Sequence, residues 1–229
     1  MNHIPIKESV MSPPVFYSLR RCPYAMRARM GLLLAKQPVM LRDIVTKNKP
    51  PELLLASPKG TVPVLVFNEQ TPEQAVIDQS LDIMKWALSQ NDPLDLLRQS
   101  SPDISTQILG LIDDNDRAFI PKLEQYRASM RYHNDDLALR RQACEVHLTP
   151  LEAKLKLHPY FFGETPSLAD YALMPFISQF ARVDKKWFVR SGYVQLDKWL
   201  RSHYESPLYT KVMKQFPQWV DTKQEFLFE

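Results

Sequence analysis

Cysteine is scarce: two in 229 residues, Cys22 and Cys144, far apart in the chain. Two distant thiols make no disulfide framework, and such usage points to an intracellular, cytoplasmic protein. No apolar run is long enough to span a bilayer, so no membrane partner is expected. Met1 to Pro14 lacks an apolar core of signal-peptide length and carries Pro5, Pro13 and Pro14. Neither charge sign dominates. The 29 Lys and Arg against 26 Asp and Glu leave a net +3, spread and interleaved, which argues against a nucleic-acid partner. Internal repeats and low-complexity tracts are missing. His3, His133, His147, His158 and His203 have no ligand spacing, so no metal is expected. What remains is 45% hydrophobic and 24% charged, an ordinary globular composition with length for one large domain or two small ones.

The pattern changes once along the chain. Residues 15–19 read as a strand and 23–36 as a helix, with Met26, Met30, Leu33 and Leu34 at helical spacing. Residues 39–44 form a second strand, so the unit is βαβ and its strands are parallel. A short helix over 52–56, strands over 62–67 and 75–77, and a helix from Ser80 to about Leu88 follow. Asn91, Asp92 and Pro93 open a linker that ends near Pro102. Beyond it only helical patterns stand out, over 103–132, 136–157, 168–182, 194–203 and 207–215. Pro150 is expected to break or kink the second of these. The expected class is therefore α/β plus all-α: an α/β domain over 1–90, a linker over 91–102 and an all-helical domain over 103–229.

Cys22 is the most informative residue. It follows a short strand, in Tyr17-Ser18-Leu19-Arg20-Arg21-Cys22-Pro23-Tyr24-Ala25, and precedes a helix. Pro23 suits the first helical position. Unpaired backbone N–H groups and the positive end of the helix dipole favour a thiolate there. Arg20, Arg21, Arg27 and Arg29 add positive charge nearby. The alternative is a half-buried structural cysteine. Cys144, inside a helical pattern, reads as a buried apolar residue. Ser167 and Asp170, after Pro166 and before an apolar run, read as a helix capping box rather than a catalytic pair. Asp113, Asp114 and Asp116 read as a solvated helix face. Trp187, Phe188 and Trp219 are either core or lining of a second-substrate pocket.

In order and spacing these residues resemble the glutathione transferases, most of all the cysteine-type omega class and the related two-domain glutaredoxins. The resemblance rests on the Cys22 segment with Arg27 and Arg29, on Asn48-Lys49-Pro50, on Ser57 to Leu65 with Val62-Pro63, and on Gln79-Ser80. It implies a thioredoxin-like domain (βαβ-α-ββα) followed by a helical bundle, with glutathione as cosubstrate and a homodimer. It implies a cis Val62–Pro63 bond that leaves the Val62 backbone free to pair with the cysteinyl part of glutathione. It puts Lys49 near the glycyl carboxylate, although a solvated surface lysine reads equally well there. Ser80, at a helix start, suits the γ-glutamyl carboxylate. Gln79 departs from the family's usual Glu, which weakens the grip on the γ-glutamyl ammonium. Asp78 is expected to point away, and Lys59 to face solvent. Tyr17 and Ser18 resemble the catalytic hydroxyls of other classes but sit on the strand.

Ala25 stands where dithiol glutaredoxins carry a second cysteine, so the implied chemistry is monothiol, through a Cys22–glutathione mixed disulfide. The substrates would be glutathionylated proteins, small disulfides or dehydroascorbate. Two rival readings remain: a non-enzymatic, transferase-like binding or regulatory protein, and a glutathionyl-conjugate reductase.

Overall fold

A computed structural model describes residues 13–229. The leader expectation for Met1 to Pro14, and His3 with it, fall almost wholly outside the described residues. The chain opens with β1 (Val15–Ser18), α1 (Pro23–Leu34) and β2 (Val39–Asp43), then α2 (Pro51–Ala56), β3 (Val64–Phe67), β4 (Ala75–Ile77) and α3 (Ser80–Gln90). β1 and β2 are parallel, as a crossover through one helix requires. β3 lies antiparallel to β1, and β4 antiparallel to β3.

Alternation along the strands sorts side chains to two faces. Phe16, Leu41 and Leu65 face α1 and α3 in the large core that continues into the helical half. Val15, Tyr17, Val64 and Val66 face the other way, against Leu53 of α2. Gly31 allows α1 and α3 to touch: a Cβ there would fall 2.7 Å from the Met84 Cγ and 2.8 Å from its Cα.

The helical half comprises α4 (Pro102–Asp114), α5 (Ile120–Tyr132), α6 (Leu137–Leu155), α7 (Leu168–Val183), α8 (Lys185–Arg190), α9 (Val194–Tyr204), α10 (Pro207–Val212) and α11 (Trp219–Thr222). The expected 103–132 helix is interrupted by a π-helical turn, Asn115–Phe119, just before Pro121. Proline has no N–H and crowds the carbonyl four residues back, and a wider turn relieves both. Pro150 does not break α6, which runs through it. The carbonyl it leaves without a helical donor belongs to Val146, a residue that is 67% exposed. The capping box is present at the start of α7. Asp170 also accepts from the Phe161 N–H at 3.1 Å and the Trp199 Nε1–H at 3.1 Å, tying three segments together.

The last element corrects the sequence reading. Phe226–Phe228 forms β5, antiparallel to β2, and completes a five-stranded sheet in the order β4-β3-β1-β2-β5. The region expected to be all-helical thus returns a strand to the first domain. Arg42 on β2 holds it: its Nε bonds Glu225 at 2.9 Å, and its guanidinium lies 4.2 Å from the Trp219 ring centroid.

Candidate functional site

A cleft of about 490 Å³ opens where the end of β1, the loop before β3 and the start of α3 converge. Cys22, Lys49, Val62, Pro63, Gln79 and Ser80, the six residues singled out in the sequence, all line it. Leu19, Tyr24, Thr46, Lys59, Gly60, Thr61 and Asp78 complete the wall.

Cys22 is the N-cap of α1, with extended backbone and Pro23 next in the first turn. Its carbonyl accepts the Met26 N–H at 2.8 Å. Its Sγ is half-buried and donates weakly to the Val62 carbonyl, 3.8 Å away. Burial pushes the thiol above its ordinary value. Backbone N–H groups of Ala25 and Tyr24, and then Arg29, pull the other way without overcoming burial. The helix-terminus groups therefore act in the expected direction, and burial acts more strongly against them.

The expected cluster of positive charge is mostly committed elsewhere. Arg27 is fully buried and grips Asp116 with two bonds of 2.8 and 2.7 Å. Its Nε donates to the Ala172 carbonyl, and its guanidinium stacks 4.6 Å from the Phe176 centroid. Asp116 is thus a structural anchor, not part of a solvated face. Arg29 donates to Ser18 Oγ, Asp43 and the Val212 carbonyl. Arg21 is exposed.

The Val62–Pro63 bond is cis. The Val62 N–H has no partner among the described residues, and its carbonyl has only the Cys22 thiol. At the start of α3, Gln79 takes the N-cap position and Ser80 the first helical one, so Ser80 is not itself the cap. No side chain caps this end. The free N–H groups of an 11-residue helix therefore face the cleft. Ser80 is buried and Gln79 exposed. Lys49 is exposed, with its ammonium beside Gly60, whose φ of +61° needs a glycine.

Lys59 is exposed, as expected, whereas Asp78 lines the cleft instead of pointing away. Lys59 lines the cleft and pairs with the Asp78 carboxylate at 3.2 Å. Asp78 also accepts from Ser57 Oγ at 2.9 Å. Burial raises its carboxyl, but Ser57 and Lys59 outweigh that and hold it below the ordinary range. The Ser57-Pro58-Lys59-Gly60 turn is the sequence signal that could have found this pair.

The glutathione S-transferase N-terminal domain family matches residues 16–95, and the C-terminal domain of the same family matches 137–202. The chain belongs to the glutathione S-transferase family. No curated protein sequence matches it. Its fold is shared by a family member from Pseudomonas fluorescens Pf-5 solved with two glutathione bound: TM-score 0.76, 17% identity, 91% of this chain and 95% of that one. A Pseudomonas putida glutathione transferase with one glutathione disulfide per subunit gives TM-score 0.76 and 17% identity over 92% and 94%. Omega 1C from Trametes versicolor gives 0.73 and 20% over 89% and 92%.

The remaining candidates of this transferase lie outside the cleft. Tyr17 is buried and bonds Glu69 and Arg42, and burial raises its hydroxyl far above the ordinary value. Cys144 is fully buried and its thiol is pushed up to about 12, so it is a core residue. Trp187 and Phe188 pack against Phe180, and Trp219 packs on the far face of the sheet. Among the described residues no group of His, Cys, Asp and Glu could hold a metal, and no helix is long and apolar enough to cross a membrane.

Proposed function

We propose that the protein is a glutathione-dependent thiol transferase of the omega-like, cysteine type, working through Cys22 alone. The observation that carries the reading is one cleft bounded by a helix-capping thiol, an unpaired Val62 backbone beside a cis proline, and the uncapped start of α3. Glutathione matches these groups along its length. Its glycyl carboxylate meets Lys49, its cysteinyl amide pairs with Val62, and its γ-glutamyl carboxylate meets Ser80 and the helix N–H groups. Gln79 accepts from the ammonium without charge assistance. Asp78 is no substitute, being engaged by Ser57 and Lys59. The Pseudomonas relatives solved with glutathione or its disulfide support this choice of cosubstrate.

In the cycle, the Cys22 thiol loses its proton to solvent and the thiolate attacks the glutathione sulfur of a mixed disulfide, R–S–S–G. The S–S bond of the mixed disulfide breaks, and R–S⁻ leaves and takes up a proton. A second glutathione thiolate attacks the glutathione sulfur of the Cys22 adduct, releasing glutathione disulfide and restoring Cys22. The net reaction, R–S–S–G + GSH → R–SH + GSSG, oxidises the incoming glutathione to disulfide level and reduces R–S to R–SH, the glutathionyl half of the substrate staying at disulfide level throughout. Backbone N–H groups of Tyr24 and Ala25 support the thiolate as it forms. No other cysteine competes, since Cys144 is buried.

A second reading, a non-enzymatic binding protein, draws on Gln79 and on the burial that raises the Cys22 thiol. One experiment separates them. Incubation with glutathione disulfide adds one glutathione mass to the wild type and none to Cys22→Ser, which also loses thioltransferase activity. Full activity in Cys22→Ser overturns the proposal.

A further inference from the structure

The last residues of the chain lie behind one wall of the Cys22 cleft. Thr46 and Lys49 belong to that wall, in the loop that leads from β2 into α2. α2 has six residues, no side-chain cap and one buried residue, Leu53. Leu54 and Leu55 are 42% and 84% exposed. A helix this short is not stable by itself, so what it is seated on decides where the preceding loop lies. Its seat includes the C-terminal segment. Lys223 Nζ donates to Glu52 Oε1, in the first turn of α2, at 3.2 Å and lies 5.2 Å from the Trp219 ring centroid. Trp219 joins Leu53 and Ala56 in the small core that also reaches Cys22 and Val62.

The segment that grips α2 is itself anchored. Gln218 bridges to Asp43 at the end of β2, and Phe226–Phe228 pairs with Val39–Leu41 of the same strand. Between these anchors the Arg42 guanidinium stacks on Trp219 and its Nε bonds Glu225. Residues 218–228 thus run beside β2 as a strap held at both ends. Lys223 sits in its middle and caps α11, its N–H on the Trp219 carbonyl at 2.8 Å, so its side chain departs from a fixed backbone. The Glu52 carboxyl is held below its ordinary range, by its own backbone N–H first and by Lys223 against the effect of burial. Neither Lys223 nor Glu52 lines the cleft, but Glu52 is only three residues beyond Lys49, which does.

We infer that the C-terminal strap is a positioning element for the cosubstrate: Lys223, through Glu52, seats α2 and thereby sets Lys49 for the glycyl carboxylate of glutathione. The inference rests on the glutathione reading for the ligand, but the seating of α2 can be read with no ligand present.

The test is calorimetry on the full-length protein under reducing conditions. It compares glutathione with γ-glutamylcysteine, which lacks the glycyl carboxylate. The wild type binds glutathione about fivefold tighter, the worth of one exposed charge-assisted contact. Lys223→Arg keeps that ratio, because it still pairs with Glu52. Lys223→Glu sets two carboxylates together and lowers the ratio below about twofold, with the affinity for γ-glutamylcysteine unchanged. An unchanged ratio in Lys223→Glu, equal weakening of both peptides, or no preference in the wild type overturns the inference. Amide hydrogen exchange without ligand separates the two failures. If neither peptide binds any of the three proteins, the glutathione reading fails. Exchange over residues 46–56 that is about threefold faster in Lys223→Glu, and normal in Lys223→Arg, then still sustains the strap. Equal exchange in all three proteins counts against it.

Discussion

Arg27→Met tests the reading that Arg27 joins the two halves rather than activating Cys22. The substitution keeps an apolar stem of similar length and removes the guanidinium. Two bonds to Asp116 and one to the Ala172 carbonyl are lost, together with the stack on Phe176. Removing one partner of a buried ion pair costs about 3–5 kcal/mol, because the other charge is stranded. Here the Asp116 side chain is 32% exposed, so water reaches it and the low end applies. The Phe176 stack adds about 0.5–1 kcal/mol, part of which the methionine retains. The expected loss is about 3 kcal/mol. With a slope near 3 kcal/mol per molar urea, the midpoint falls by about 1 M.

Urea titration followed by tryptophan fluorescence reads that shift. The double variant Arg27→Met/Asp116→Leu should regain most of it, since an apolar pair needs no compensating charge. Iodoacetamide alkylation against pH supplies the second readout. Cys22 should titrate above an ordinary thiol, and no differently in Arg27→Met, because Arg29 is the arginine whose charge acts on it. A loss below about 1 kcal/mol, a double variant no better than the single, or a Cys22 thiol that titrates higher in Arg27→Met would refute the reasoning.

Two further outcomes are expected. Gln79→Glu restores a charged partner for the γ-glutamyl ammonium and should tighten glutathione binding about fivefold by calorimetry; unchanged or weaker affinity counts against that account. His203 sits buried between Trp199 and Tyr171, its Nε2 without a partner, and burial pushes its imidazole from 6.5 down to about 4. The unfolded chain takes up that proton first, so the stability is present above pH 6.5 and is lost as pH falls toward 4. Between pH 7 and pH 4 the wild type should lose about 3 kcal/mol more than His203→Phe, measured by denaturant titration at each pH. Parallel losses in the two proteins would refute the burial argument.

Much of the candidate site was legible in the sequence because its parts are local. Cys22 before Pro23, Val62 before Pro63, and Gln79-Ser80 before an apolar helix are each set by backbone chemistry within a few residues. The element order over 15–90 followed from hydrophobic period for the same reason. The Lys59–Asp78 pair was not foreseen, because it joins a turn to a strand end 19 residues away. The burial that raises the Cys22 thiol was not visible in the sequence, because it is a sum over neighbours from several segments, whereas the helix-terminus effect is.

Local patterning alone therefore determined the two-part architecture, the placing of Cys22 before a helix start and the capping box of α7, while the cis Val62–Pro63 bond was implied by the family resemblance. Tertiary structure decided what distant segments do to one another. It sent Arg27 to Asp116 and Arg42 to Glu225, across 89 and 183 residues, where a sequence shows only surplus charge. It made Phe226–Phe228 a strand, since three residues gain that conformation only from the free edge of β2. It also set the balance at Cys22, where the helix end favours the thiolate and the surrounding walls of the cleft, assembled from three segments, favour the thiol.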